Sequence, residues 1–160
     1  MAAGLLWGPV APGSARAACT DPPGPEVNWQ RCGFDGLDLK GVDLAGARLR
    51  DGSFFRADLT GSDLSKVRAF RAKFVNAILR NANLDGAKLS EADFTKADLT
   101  GASLVGADLR RVRLFHANLR DANLTDARLR GADLTQADLS GVTWVDGKRI
   151  CAEGSSGRCN

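Results

Sequence analysis

A chain of 160 residues has room for one compact domain and hardly a second. Its 22 basic and 19 acidic residues leave a net charge of +3, too balanced for a polyanion mimic or a strong nucleic-acid binder. The 44% apolar content can build a core, no apolar run reaches the roughly 18 residues of a membrane-spanning helix, and one His with no Tyr leaves little material for histidine-based metal or acid–base chemistry.

Residues 1–17 read as a secretory leader. Met1 to Ala11 is mildly apolar, and Ala15-Arg16-Ala17 resembles a small-x-small cleavage site before Ala18. The basic n-region is missing and the apolar stretch is short, as expected if the true start lies upstream. Arg16 stands where a lipoprotein signal carries an apolar residue, which disfavours lipid attachment at Cys19. Residues 18–33 then form an N-terminal cap, a Pro-rich segment that carries Trp29 between Cys19 and Cys32.

From Phe34 to Trp144 the chain repeats every five residues. Of 23 positions in that register, 17 are Leu and four are Phe, with Ala69 and Trp144 as the remaining two. Two residues earlier in each unit, 15 positions are Ala and four are Val. A period of five fits neither regular element. Successive Leu would scatter around an α-helix by about 140°, and an odd step along a strand flips the side chain to the other face. The chain must turn one corner per unit and point its Ala and Leu inward. Asp, Asn and Gly between the apolar positions suit such corners.

The Phe positions set the number of sides. Phe34, Phe54, Phe74 and Phe94 are 20 residues apart, so four units per coil stack them directly. Leu59 and Leu99 belong to an unbroken Leu column beside them, and a third column ends at Trp144. Ala69 interrupts the fourth column and is the weak point of the core, with Phe70 expected to be exposed rather than to fill the gap.

Units such as Ala92-Asp93-Phe94-Thr95-Lys96 and Ala97-Asp98-Leu99-Thr100-Gly101 resemble the A(D/N)LXX motif of the pentapeptide-repeat family. The resemblance implies a single-domain, all-β fold: a right-handed quadrilateral parallel β-helix over residues 34–147. About 5.75 coils at about 4.8 Å each would give a rod about 28 Å long. Cys151 and Cys159 lie in a C-terminal tail, residues 148–160. Three pairings of four Cys are formally open, and four free thiols in a cytosolic protein are the alternative. On a rod of this length, bridged Cα atoms within about 7 Å mean local pairs, Cys19–Cys32 and Cys151–Cys159. Secreted members of the family resemble this chain in their Cys-capped ends and in a stretch like Trp144-Val145-Asp146-Gly147.

No constellation carries chemistry. His116 occupies an outward slot with no nucleophile assigned beside it, and the recurrent Asp is the repeat's own residue. No cofactor, metal or catalytic site is expected. The outer surface instead sorts charge by side. Arg48, Arg68, Lys88 and Arg128 share one outward column, interrupted by Asp108, and Arg50, Arg110 and Arg130 share the next, interrupted by Phe70 and Ser90. Two other sides carry Asp38, Asp58, Asp98 and Asp138, and Asp43 and Asp63. Phe55, Val75 and Phe115 recur in another outward column, a contact patch for a partner or a weak homodimer.

The function that follows is a non-catalytic structural or protein-interaction module, secreted or periplasmic, whose charged faces meet an unknown protein or envelope polymer rather than nucleic acid. The alternative, drawn from the family, is a cytosolic DNA mimic that modulates a bacterial type II topoisomerase. The neutral rod, the uninterrupted repeat and the terminal Cys speak against it.

Overall fold

The computed structural model describes residues 19–160. Its backbone is a parallel coil in which each outward residue of the second slot bridges the residue 20 positions on, from Asn28↔Arg48 to Asn123↔Thr143. Four sides therefore make one coil, and each side contributes one bridged residue between turns. We name the sides after their first inward Leu or Phe: the Phe34, Leu39, Leu44 and Leu49 sides. The coil starts earlier than the repeat motif does. Asn28 and Gly33 are already bridged, and Val27 and Trp29 take inward slots, although the sequence assigns these residues to the cap.

The corners explain why a period of five is tolerated. The fifth residue of each unit adopts left-handed backbone, with φ of 57° at Arg56, 58° at Lys96 and 55° at His116. Gly takes the same slot elsewhere, as at Gly106 with φ 66°. The recurrent Asp and Asn serve a different purpose from this one. They stand in the second slot and accept the amide of the fourth, as Asp58 Oδ1 does from Thr60 N–H at 3.0 Å.

Inward Ala and Leu fill the interior. The Phe34 column stacks with ring centroids 5.4, 5.0 and 4.7 Å apart, and Trp29 closes its lower end 4.1 Å from Phe34. Leu59 and Leu99 are buried in the neighbouring column. Trp144 packs against the core but is only partly buried, because no regular coil follows it. Ala69 is fully buried. Phe70 does not fill the space beside it; its ring lies outside, half-covered, between the Arg50 and Arg71 guanidiniums at 5.5 and 5.0 Å.

Both ends are stapled. Cys19 and Cys32 form a disulfide with Cα atoms 5.4 Å apart, and Trp29 Nε1 donates to Asp21 O at 3.1 Å. At the other end the chain reverses after Thr143, and the tail returns antiparallel through Thr143↔Ile150 and Asp138↔Ser156. The Cys151–Cys159 disulfide, with Cα atoms 4.8 Å apart, closes that tail. The leader reading of residues 1–17 lies outside the described residues. Among the described residues, no helix is long and apolar enough to cross a membrane.

Candidate anion-binding groove

The Leu49 side differs from the other three in its second slot. There the bridged column reads Asn28, Arg48, Arg68, Lys88, Asp108 and Arg128. The fourth slot beside it holds Gln30, Arg50, Phe70, Ser90, Arg110 and Arg130. Gly86 and Gly106 at the adjoining corner add no side chains, and the small Ser90 leaves a gap between Phe70 and Arg110. The result is a groove of about 610 Å³ lined by Arg50, Arg68, Phe70, Lys88, Arg110 and Arg128, among others. A second hollow of about 410 Å³, lined by Gln30, Arg48, Arg50 and Arg68, continues it toward the N-terminal end. Arg130 is exposed at the last coil, outside the groove lining.

On the other sides, several cations find carboxylates one coil away, while Arg56, Lys66, Lys73 and Lys96 form no ion pair among the described residues. Lys40 reaches Asp58 at 3.3 Å, Arg80 reaches Asp98 at 2.5 Å, and Arg113 reaches Asp93 at 3.2 Å. Arg120 spans Asp138 at 3.3 Å and Glu153 at 2.8 Å. The Leu39 side is thus self-neutralised, not the acidic face that Asp38, Asp58, Asp98 and Asp138 suggest in isolation. In the groove, Asp108 is taken by Arg110 through contacts of 2.8 and 2.7 Å. That guanidinium holds the Asp108 carboxyl below the usual carboxylate range. Arg50 lies 3.5 Å from Asp51. Arg48, Arg68, Lys88 and Arg128 have no ion-pair partner among the described residues.

The backbone carries a matching feature. Where Asp or Asn stands in the second slot, the fourth-slot amide donates to it, at 2.8 Å for Ser65–Asp63 and 3.0 Å for Asp85–Asn83. On other sides single amides, those of Val75, Arg80 and Phe115 among them, have no acceptor among the described residues. Arg and Lys cannot accept. The amides of Arg50, Phe70 and Ser90 consequently have no acceptor among the described residues, three coils in succession. Asp108 restores the pattern by accepting Arg110 N–H at 3.3 Å.

The remaining candidates separate. Phe55, Val75 and Phe115 are each half-buried, and Thr95 divides Val75 from Phe115 in their column. Arg56 lies over the Phe55 ring at 4.8 Å, so this column does not form an open apolar patch. Among the described residues, the exposed large apolar side chains are Leu37, at 47%, and Ile150, at 58%, near opposite ends of the coil. His116 is exposed and meets only the edge of Phe115, 4.3 Å between centroids. Among the described residues, no cluster of His, Cys, Asp or Glu has metal-site geometry. Reading by residue type finds the cations and places Phe70 among them only as an interruption of their column, and it misses the open amides. Their signal is the run Arg48, Arg68, Lys88 in a slot that Asp and Asn otherwise dominate.

A family model described as pentapeptide repeats matches residues 38–74, 77–114 and 107–143, in 8 copies. Among solved structures, full-length QnrB1, a plasmid-mediated fluoroquinolone resistance protein, is 21% identical, with 69% of this chain and 74% of that chain covered and a TM-score of 0.47. HetL, a pentapeptide repeat protein involved in heterocyst differentiation regulation from the cyanobacterium Nostoc, is 26% identical over 79% of this chain and 90% of that chain, with a TM-score of 0.30. A pentapeptide repeat protein from the Arabidopsis thaliana thylakoid lumen is 25% identical over 81% of this chain and 84% of that one, with a TM-score of 0.31. No curated protein matches the chain.

Proposed function

The chain belongs to the pentapeptide-repeat family, and on that premise we propose a non-catalytic, exported interaction module that docks an anionic partner on its Leu49 side. The family fold is a right-handed quadrilateral β-helix, a rigid scaffold whose outward slots vary while the inward ones are fixed by packing. Function therefore resides in the outward residues. The observation that carries the reading is the bridged run Arg48, Arg68 and Lys88, stacked one coil apart without ion-pair partners along the groove and the hollow that continues it. Like charges held about 4.8 Å apart repel one another. On the Leu39 side the same rod relieves such charge internally, through Lys40, Arg80 and Arg120. A groove that leaves it unrelieved favours an external anion.

Export is supported by the two terminal disulfides, which persist in oxidising compartments. The DNA-mimic alternative needs a free acidic surface, and Asp58, Asp98 and Asp138 are already engaged by cations. The test has two parts, both on protein from its native host. Alkylation in denaturant without reductant, followed by intact mass, should find no modified Cys and a mature chain lacking the leader. Sedimentation of the extract should show the wild type in a complex and the Arg48→Glu/Arg68→Glu/Lys88→Glu variant alone. Four alkylated Cys would overturn export, and co-sedimentation of both forms would overturn docking through this side.

A further inference from the structure

We propose that the groove binds an acidic peptide segment of a partner protein, with side-chain carboxylates seated on the open amides of Arg50, Phe70 and Ser90 and flanked by the cations of Arg48, Arg68 and Lys88. The inference rests on the docking reading above and specifies its chemistry.

The rod itself shows what these amides bind. On its other sides the equivalent N–H, where it has a side-chain acceptor, holds an Asn or a carboxylate oxygen, the latter at 2.9 Å for Thr95–Asp93 and 3.0 Å for Ser140–Asp138. The carboxylate need not come from the same unit. Asp35 Oδ1 accepts Phe55 N–H at 3.0 Å from one coil away, and Asp85 Oδ1 accepts Val105 N–H at 3.0 Å in the same manner. The amide therefore accepts a carboxylate delivered from outside its own turn. In the groove that seat is empty of any side-chain acceptor among the described residues, and its rim is cationic. Charge-assisted N–H···O⁻ bonds are about twice as strong as neutral ones, so the amide and the cation act together on one ligand group.

The dimensions suit an extended peptide. Three amides in successive coils span about 10 Å, and same-face side chains of an extended chain recur about every 6.6 Å, so about three to four residues bring two carboxylates over the three amides. Phe70 supplies an apolar surface for the aliphatic stems between carboxylates. Asp108 closes the site at its C-terminal end, because it both accepts Arg110 N–H and neutralises the Arg110 guanidinium.

The experiment titrates octa-aspartate into the isotope-labelled full chain and follows backbone amides by NMR. The amides of Arg50, Phe70 and Ser90 should shift downfield, those of Thr60 and Thr95 should not, and affinity should fall with added salt. Two variants separate amide recognition from simple charge. Arg68→Asn and Arg68→Gln both remove the cation, but only the Asn side chain is short enough to cap the Phe70 amide, as Asn83 caps Asp85 and Asn123 caps Thr125. Loss of one charge-assisted bond corresponds to about tenfold in affinity, so Arg68→Asn should bind about tenfold more weakly than Arg68→Gln. Equal affinities, or shifts spread over the Thr60 and Thr95 amides, overturn the proposal. Tripolyphosphate or oligogalacturonate moving the three amides at lower concentration than octa-aspartate overturns the peptide occupant and leaves the anionic docking side standing. Survival of the cellular complex in the charge-reversal variant overturns the docking side itself.

Discussion

Arg68 lies in parallel-bridge register with Lys88, one coil apart, and neither meets a carboxylate among the described residues. Arg80 and Asp98, on the Leu39 side, show the contrasting arrangement, with a cation and an acid from neighbouring coils at 2.5 Å. One scaffold thus holds both a self-neutralised side and a side whose charge is left for something else.

The stack of Phe rings forms a continuous aromatic column through the core. Phe74 lies between Phe54 and Phe94 at 5.0 and 4.7 Å and is fully buried. Phe74→Ala should destabilise by about 3–5 kcal/mol, measured as the shift in urea unfolding. A loss below about 1 kcal/mol would mean the column collapses around the gap.

The terminal disulfides should contribute through the unfolded chain. With a separation of 8 residues for Cys151–Cys159, loop-closure entropy gives about 2–3 kcal/mol. The Cys151→Ala/Cys159→Ala variant should lose that amount. Hydrogen exchange should quicken first at Leu139 and Gly141, whose amides donate to Ser155 O and Cys151 O at 2.8 and 3.0 Å. Uniform quickening along the rod would show that the staple acts globally.

Corner geometry separates two Gly substitutions. Gly106, φ 66°, has open space around its α-carbon, so Gly106→Ala meets only the left-handed backbone penalty of about 1 kcal/mol. At Gly141, φ 72°, an added methyl would also strike the Asp121 carboxylate. Gly141→Ala should therefore lower the melting temperature more than Gly106→Ala. Equal effects would place the whole penalty in the backbone.

Stability should fall in acid. Partial burial raises the Asp98 carboxyl, but the Thr100 hydroxyl, the Arg80 guanidinium and the Thr100 amide outweigh it and hold the group below its ordinary value. Asp58, with Thr60 and Lys40, and Asp138, with Ser140 and Arg120, behave alike. A carboxyl with a lowered folded pKa stabilises above its unfolded value. That contribution disappears as pH falls through the folded value. The urea midpoint should be flat from neutral pH to about 5 and drop below about 4. Asp98→Asn keeps the turn acceptor and removes part of the drop.

The coil was readable because packing is one-dimensional here. A period of five with Phe at every twentieth residue leaves four sides as the simple solution, and inward Ala and Leu follow from it. The corners were less readable. Arg56, Lys96 and His116 are not residue types that announce left-handed backbone, and the repeat imposes it on them. The second-slot Asp looked like a generic turn residue, and its acceptor role emerges only with the fourth-slot amide in view. Ion pairs such as Arg80–Asp98 join residues 18 apart, visible only once the coil is wound. The start of the coil was missed because Val27 and Trp29 fill inward slots without the motif's Ala and Leu.

The most direct test of the docking side places a photo-crosslinking amino acid at Ser90, inside the groove, or at Asn83, on the Leu44 side, in the full chain expressed in its native host. The account predicts a discrete adduct from position 90, lost with Arg48→Glu/Arg68→Glu/Lys88→Glu, and none from position 83. Adducts of equal yield from both positions, or from position 83 alone, would contradict it.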